Sequence, residues 1–156
     1  MKTWFTVCVL CLMFIACDDN VEFNQPAFQA NIEDVVWQGN TYEASRVSNV
    51  LTVLATLNGE KIKLEVPFEV GVDTLGAGRT SNATFTNVNG TEFSTLFSAV
   101  NEPTVYYSDG LVSVSEINSV EGYVSGEFWF IGYDNNGLEK VNVTQGVFFK
   151  VPLVTE

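Results

Sequence analysis

Leu51-Thr52-Val53-Leu54-Ala55-Thr56-Leu57, then Asn58-Gly59, then Glu60-Lys61-Ile62-Lys63-Leu64-Glu65-Val66: this stretch reads as a β-hairpin with its register attached. Asn-Gly is the strongest two-residue hairpin loop, because both central positions of a type I′ turn need positive φ. Closing the loop there sets Ala55 opposite Ile62, Val53 opposite Leu64 and Leu51 opposite Val66. These six share one face, while Thr52, Thr56, Lys61, Lys63 and Glu65 share the other. A pairing that separates apolar from polar so cleanly predicts two strands with one dry face and one wet face.

Working outward, the chain keeps the same character: short runs rich in Val, Ile, Thr, Phe and Tyr, broken by Asn, Gly, Asp and Ser. A second hairpin flanks Asp134-Asn135-Asn136-Gly137. Pairing Tyr133 with Leu138 sets Phe130 opposite Val141 and Phe128 opposite Val143, and any even-length loop keeps that face assignment. The reverse face then carries Trp129, Ile131, Tyr133 and Leu138 among Lys140, Asn142 and Thr144. A third hairpin turns at Asn89-Gly90, between Thr84-Phe85-Thr86 and the run Phe93 to Phe97. Leu111-Val112-Ser113-Val114 and Tyr123 to Phe128 read as neighbours joined through Asn118 to Gly122. Phe28 to Trp37 opens the fold and Gln145 to Leu153 closes it, with Gly146 marking a bulge or a close approach. The expected fold is all-β, an antiparallel sandwich or flattened barrel of about 7–9 strands joined mostly by hairpins.

The N-terminus reads differently. One positive charge, Lys2, is followed by an apolar run from Trp4 to Ala16 that stops at Cys17-Asp18-Asp19. A spanning helix needs roughly 20 apolar residues, so the run has the layout of a signal peptide instead. Phe14-Ile15-Ala16-Cys17 resembles the bacterial lipobox, in which a small residue precedes a cysteine that receives diacylglycerol; Phe14 stands where Leu is usual. The expected organisation is a signal peptide over 1–16, a lipidated Cys17 with a tether over 17–26, and a single β domain over 27–156. Lipid chains contribute about 0.8 kcal/mol per buried methylene, so two or three hold a domain at a membrane without a spanning segment.

Cys8 and Cys11 leave with the signal and Cys17 is acylated, so the mature chain is expected to hold no free thiol and no internal disulfide. The 156-residue chain has no histidine, 7 basic and 19 acidic side chains. Removing Lys2 with the signal leaves 6 basic groups against 19 acidic ones, a formal charge of −13. Such a field repels nucleic acid and anionic lipid surfaces. Without histidine or a free thiol, Ser-His and Cys-His nucleophiles and His-ligated zinc, copper or haem iron are excluded. The expectation is no cofactor and no metal. Calcium, the one metal suited to oxygen ligands, needs six to eight of them, and Asp134-Asn135-Asn136-Gly137 reads better as a hairpin turn.

Phe28-x-Ala30-x-Ile32 with Trp37 near the start, then Ser125-Gly126-Glu127-Phe128-x-Phe130 and Val143-Thr144-x-Gly146-x-Phe148 near the end, resemble small Bacteroidota lipoproteins whose domain has no known function. Glu33-Asp34 stands where that resemblance leads one to expect an Asp-Gly-like turn. It implies a β fold and an outer-membrane lipoprotein address in the cell envelope; Asp18-Asp19 reads either as a surface-export signal or as a solvated tether, leaving surface and periplasmic facing both open, and no activity is implied. Asp73-Thr74-Leu75 matches the Asp-Ser/Thr-aliphatic pattern at which such bacteria O-glycosylate exported proteins, which makes Thr74 a candidate acceptor.

Three functions follow as expectations. The first is a non-catalytic binding or accessory module, using Trp129 and Tyr133 beside Lys140 and Asn142 as an aromatic platform for a carbohydrate or a protein partner. Burial of the same residues in a central strand is the competing structural reading. Tyr106-Tyr107, before Ser108-Asp109-Gly110, is a second aromatic candidate. The second function is a passive structural component of an envelope complex. The third is a glycoside hydrolase, which needs two carboxylates facing a sugar, and no acid pair here has a marked context.

Overall fold

The computed structural model describes residues 27–99 and 108–154. Its strands are β1 (Ala27–Ile32), β2 (Val35–Gln38), β3 (Thr41–Val47), β4 (Val50–Leu57), β5 (Glu60–Pro67), β6 (Gly71–Leu75), β7 (Asn82–Thr86), β8 (Glu92–Ser94), β9 (Asp109–Asn118), β10 (Tyr123–Tyr133) and β11 (Lys140–Val154). The hairpin β4–β5 has the register read from its sequence: Ala55 pairs Ile62, Val53 pairs Leu64 and Leu51 pairs Val66. Asn58 and Gly59 turn at φ 51° and 92°, as a type I′ loop demands. All six apolar residues are buried, while Lys63 and Glu65 form a solvent-facing ion pair at 3.1 Å on the reverse face.

Among the described residues eleven strands stand where about seven to nine were expected. The surplus comes from short, polar or edge strands such as β3 (TYEASRV) and β6 (GVDTL), whose composition carries little alternation. The opening segment is also two strands. Glu33 and Asp34 turn at φ 48° and 65° between them, so the departure from an Asp-Gly turn is one of residue type, with the turn geometry kept. Asn142 supports this corner, its N–H donating to Glu33 Oε1 at 2.6 Å and its carbonyl accepting from the Glu33 N–H at 3.0 Å.

The strands form one mostly antiparallel sheet in the order β2-β1-β11-β3-β4-β5-β7-β8-β10-β9-β6, and β10 also pairs β11. That extra pairing bends the sheet into a partly closed ring. The seams are thin: among the described residues β11 meets β3 in parallel at Leu153–Ala44 and Val154–Ser45, and β8 meets β10 at Ser94–Tyr133. Six strands (β6, β9, β10, β11, β1, β2) make one arm and five (β3, β4, β5, β7, β8) the other. A single core gathers Leu51, Ile62 and Leu64 from the second arm with Phe28, Val112, Phe128, Phe130 and Val143 from the first.

The sequence patterns at the two ends of the chain meet in this core. Phe128 lies 5.2 Å from Phe28 and 6.4 Å from both Phe130 and Phe148, ring centre to ring centre, and Trp37 meets Phe28 edge-on at 6.0 Å. Each aromatic pair of this kind adds about 0.5–1.5 kcal/mol beyond its buried area. Two glycines make the cluster possible. Gly126 pairs Phe148 and Gly146 pairs Phe128 across the β10–β11 ladder. The partner ring lies over each, so that a Cβ would fall 2.3 Å from Phe148 at Gly126 and 2.5 Å from Phe128 at Gly146. An aromatic side chain thus covers the surface each glycine leaves bare.

The β10–β11 register differs from the expected one. Tyr133 pairs Lys140 rather than Leu138, and Phe130 pairs Val143. The cause is Asp134, whose Oδ1 accepts the N–H groups of Leu138 and Glu139 at 2.8 and 3.0 Å and closes a six-residue loop, Asp134 to Glu139. The shift is even, so the faces survive, and Phe128, Phe130, Val141 and Val143 are all buried. The pairing of β7 with β8 sets Phe85 against Phe93 around the Asn89-Gly90 turn, though β8 ends at Ser94. Val112 and Val114 on β9 lie beside Phe128 and Gly126 on β10.

Candidate functional site

The outer face of the six-stranded arm follows from the strict alternation of side chains along a strand. With Phe128 and Phe130 turned into the core, Glu127, Trp129 and Ile131 point outward. Cross-strand pairing then defines two rows. In one, Thr74 (β6), Leu111 (β9) and Trp129 (β10) stand side by side, and Asn31 (β1) pairs Thr144 (β11) on one side and Val36 (β2) on the other. In the other, Val72, Ser113, Glu127, Val147, Gln29 and Gln38 follow one another across all six strands. Each of these side chains is exposed or half-buried.

The rows are joined by a β-bulge. Between Gln29 and Asn31 on one side, and between Phe128 and Phe130 on the other, β11 runs one residue ahead of both neighbours. The residue that absorbs the difference is Gln145, at φ 50°, a left-handed conformation that L-residues other than Asn and Asp rarely take. Bulges of this kind re-aim a side chain. Here the Gln145 amide comes beside Asn31, whose Nδ2 donates to Gln145 Oε1 at 2.8 Å. That bond leaves the Gln145 NH2 donors and the Asn31 Oδ1 acceptor unspent.

Two shallow clefts meet at the bulge. One, of about 320 Å³, is bordered by Leu111, Ser113, Glu127, Trp129 and Gln145; the other, of about 340 Å³, by Gln29, Asn31, Val36 and Gln145. Val147 borders both. Trp129 is 38% exposed, while the second described tryptophan, Trp37, is 4% exposed and bonded through Nε1 to Glu60 Oε2 at 2.8 Å. The first cleft is bordered by one carboxylate, Glu127. A smaller hollow of about 230 Å³ on the other arm, bordered by Thr41, Glu43, Leu54 and Thr56, offers the Thr41 and Thr56 hydroxyls already bonded to each other.

The residues singled out from sequence are only partly brought together. Tyr133 is 8% exposed, at the position where β10 leaves β9 and pairs β8, so its ring offers no platform. This corrects the expected Trp129–Tyr133 pair. Lys140 is exposed opposite Tyr133, and Asn142 is half-buried opposite Ile131 with its backbone tied to Glu33. Thr74 is exposed, in the same row as Trp129. Cys17, Tyr106 and Tyr107 lie outside the described residues. The sequence reading missed Gln145, Asn31, Gln29 and Leu111; Gly146, flagged as a bulge, was the one local signal pointing to them.

Asp134 belongs to the hairpin turn. Its carboxylate also accepts from Asn136 Nδ2 at 3.4 Å, and the backbone N–H groups of Glu139 and Leu138 hold it below its ordinary pKa against the opposing effect of desolvation. Among the described residues no group of three or more His, Cys, Asp or Glu side chains stands where it could hold a metal ion.

A family model described as a domain of unknown function, DUF6252, matches residues 24–152. No curated protein and no solved structure matches the chain.

Proposed function

The chain belongs to the DUF6252 family, and we propose that it is a non-catalytic binding module, an envelope lipoprotein anchored through Cys17 and displaying the outer face of its six-stranded arm. The observation that carries the binding reading is the pair of clefts meeting at Gln145 beside an exposed Trp129. Large aromatic side chains left in the open beside uncommitted hydrogen-bonding groups are the usual anchors of recognition surfaces. One carboxylate at the Trp129 cleft, rather than the facing pair that glycoside hydrolysis requires, supports binding over turnover. The lipobox-like run ending at Cys17 supports the anchor, and the relationship we propose is with small lipoproteins of the Bacteroidota. Thr74, exposed on an edge strand, fits an O-glycan acceptor at the border of the same face.

Two measurements test this reading. Cys17→Ala should abolish incorporation of labelled palmitate and release the protein from membranes; if both persist, the lipoprotein assignment is wrong. The released protein, added back to envelopes of cells lacking it, should bind saturably, and Trp129→Ala should weaken that binding. Absence of saturable binding would sink the module reading, whatever the anchor does.

A further inference from the structure

We infer that the ligand of the face around Trp129 is an extended, uncharged glycan chain, an inference that rests on the binding-module reading and deepens it. The chemistry of the two rows is specific. Four side-chain amides (Gln29, Asn31, Gln38, Gln145) and three hydroxyls (Thr74, Ser113, Thr144) are interleaved with Val36, Val72, Leu111, Trp129 and Val147. Each amide presents a donor and an acceptor together, and each hydroxyl does the same, which is the complement of a sugar's hydroxyl groups. The indole of Trp129 supplies the flat apolar surface on which the C–H face of a pyranose ring rests.

Charge narrows the class further. Within the rows Glu127 is the sole ionisable side chain and no basic group is present, so neither an anionic polymer nor a phosphate finds a counter-charge there. Lys61, Lys63 and Glu65 lie on the other arm. Shape points the same way. The clefts run across the strands through Gln145 and Val147, and six strands at their usual spacing span about 24 Å, room for a chain of sugar rings rather than a single one. A protein partner would be matched by a contiguous apolar centre with a polar rim, whereas here an amide, Gln145 on β11, stands at the centre of the face where the two clefts meet. The bulge also fixes the key amide before any ligand arrives, since Gln145 is held at φ 50° and bonded by Asn31. Ordering it in advance removes an entropic cost of binding.

The test is affinity electrophoresis of the full chain carrying Cys17→Ala, through gels containing a β-glucan, a mannan, a xylan or a galactan, with polygalacturonate as the anionic comparison. Retardation by at least one neutral polymer is expected, and none by polygalacturonate. Trp129→Ala and Gln145→Ala should each weaken it about tenfold or more, the loss for removing one recognition hot spot, with circular dichroism unchanged. Equal retardation of wild type and Trp129→Ala, or retardation by polygalacturonate alone, overturns the proposal. If no neutral polymer retards the chain while envelopes still bind it saturably, the glycan inference fails and the module reading stands. Envelope binding destroyed by protease but preserved after periodate would then identify a protein as the ligand.

Discussion

Replacing Gly126 by alanine puts the aromatic-over-glycine arrangement to a quantitative test. Gly126 sits mid-strand in β10, paired with Val114 on one side and Phe148 on the other. A methyl group there would lie 2.3 Å from a Phe148 ring carbon and 2.3 Å from the Ser113 carbonyl oxygen, where ordinary contact begins at 3.4 Å. Neither neighbour can withdraw cheaply: Phe148 is fully buried against Phe128, and the Ser113 oxygen belongs to the β9 backbone. Forcing one extra carbon into such a site costs about 1–3 kcal/mol, and a backbone obstacle places it at the upper end. Loss of glycine's freedom in the unfolded chain returns about 0.4–1 kcal/mol. The net destabilisation is therefore about 2 kcal/mol, or roughly 4–8 °C in Tm for a domain of this size. Gly71→Ala is the comparison, because nothing lies within 4 Å of its Cβ position and its φ is not positive; it should gain about 0.4–1 kcal/mol. Urea unfolding followed by far-UV circular dichroism measures both. Gly126→Ala within about 0.5 kcal/mol of wild type, or equal losses from the two variants, would refute the reasoning. Adding Phe148→Leu to Gly126→Ala should recover only part of the loss, since the Ser113 oxygen remains in place.

Two further outcomes follow from the turns. Asp34 sits at φ 65° in the β1–β2 turn, a conformation that costs a side chain about 1–2 kcal/mol and glycine very little, so Asp34→Gly should raise stability by about 1 kcal/mol in the same urea assay; a loss of that size would contradict the turn geometry. The Asp134 carboxyl is held below its ordinary value of 3.8, chiefly by the Glu139 N–H. A depressed folded pKa means that its contribution is fully present above that value and is lost as pH falls through the lower folded one. Thermal melts of wild type and Asp134→Asn between neutral pH and pH 2 should therefore converge on the acid side, and parallel curves throughout would show that the carboxylate does not act as described.

How much of this was legible in the sequence depends on the distance over which each feature is encoded. The β4–β5 register was fixed by a two-residue loop and by alternation on both sides, all within sixteen residues, and nothing beyond them had to be known. The β10–β11 faces were legible for the same reason, but the register was not. A loop of Asp, Asn, Asn and Gly closes equally well at four or six residues, and the choice rests on where the Asp134 oxygens find N–H donors. Parity survived the error because both loops are even. The strand count suffered where a strand is short or at an edge: β6 has an inward-facing Asp73 and an exposed Val72, the reverse of the pattern that announces a strand.

The candidate site lies elsewhere along β10 than its sequence suggests for the same reason. Reading Trp129 and Tyr133 as one platform assumed that two outward residues on one strand share a surroundings. They do not: Tyr133 is buried where β10 pairs β8, whereas beside Trp129 the next strand is β9, which presents Leu111. What surrounds Trp129 is decided by pairings between distant parts of the chain, as with Asn31 and Gln145, separated by 114 residues. Gly146 did signal the bulge, since a strand glycine in a β-rich run marks either an extra residue or a close approach; here it marks both. The phenylalanine that lies over Gly146 and the glutamine that the bulge turns outward are adjacent consequences of one insertion. Filling the glycine with a methyl would therefore strain the core through Phe128 and displace Gln145 from Asn31 in the same step, so the stability of the cluster and the shape of the binding face are set together.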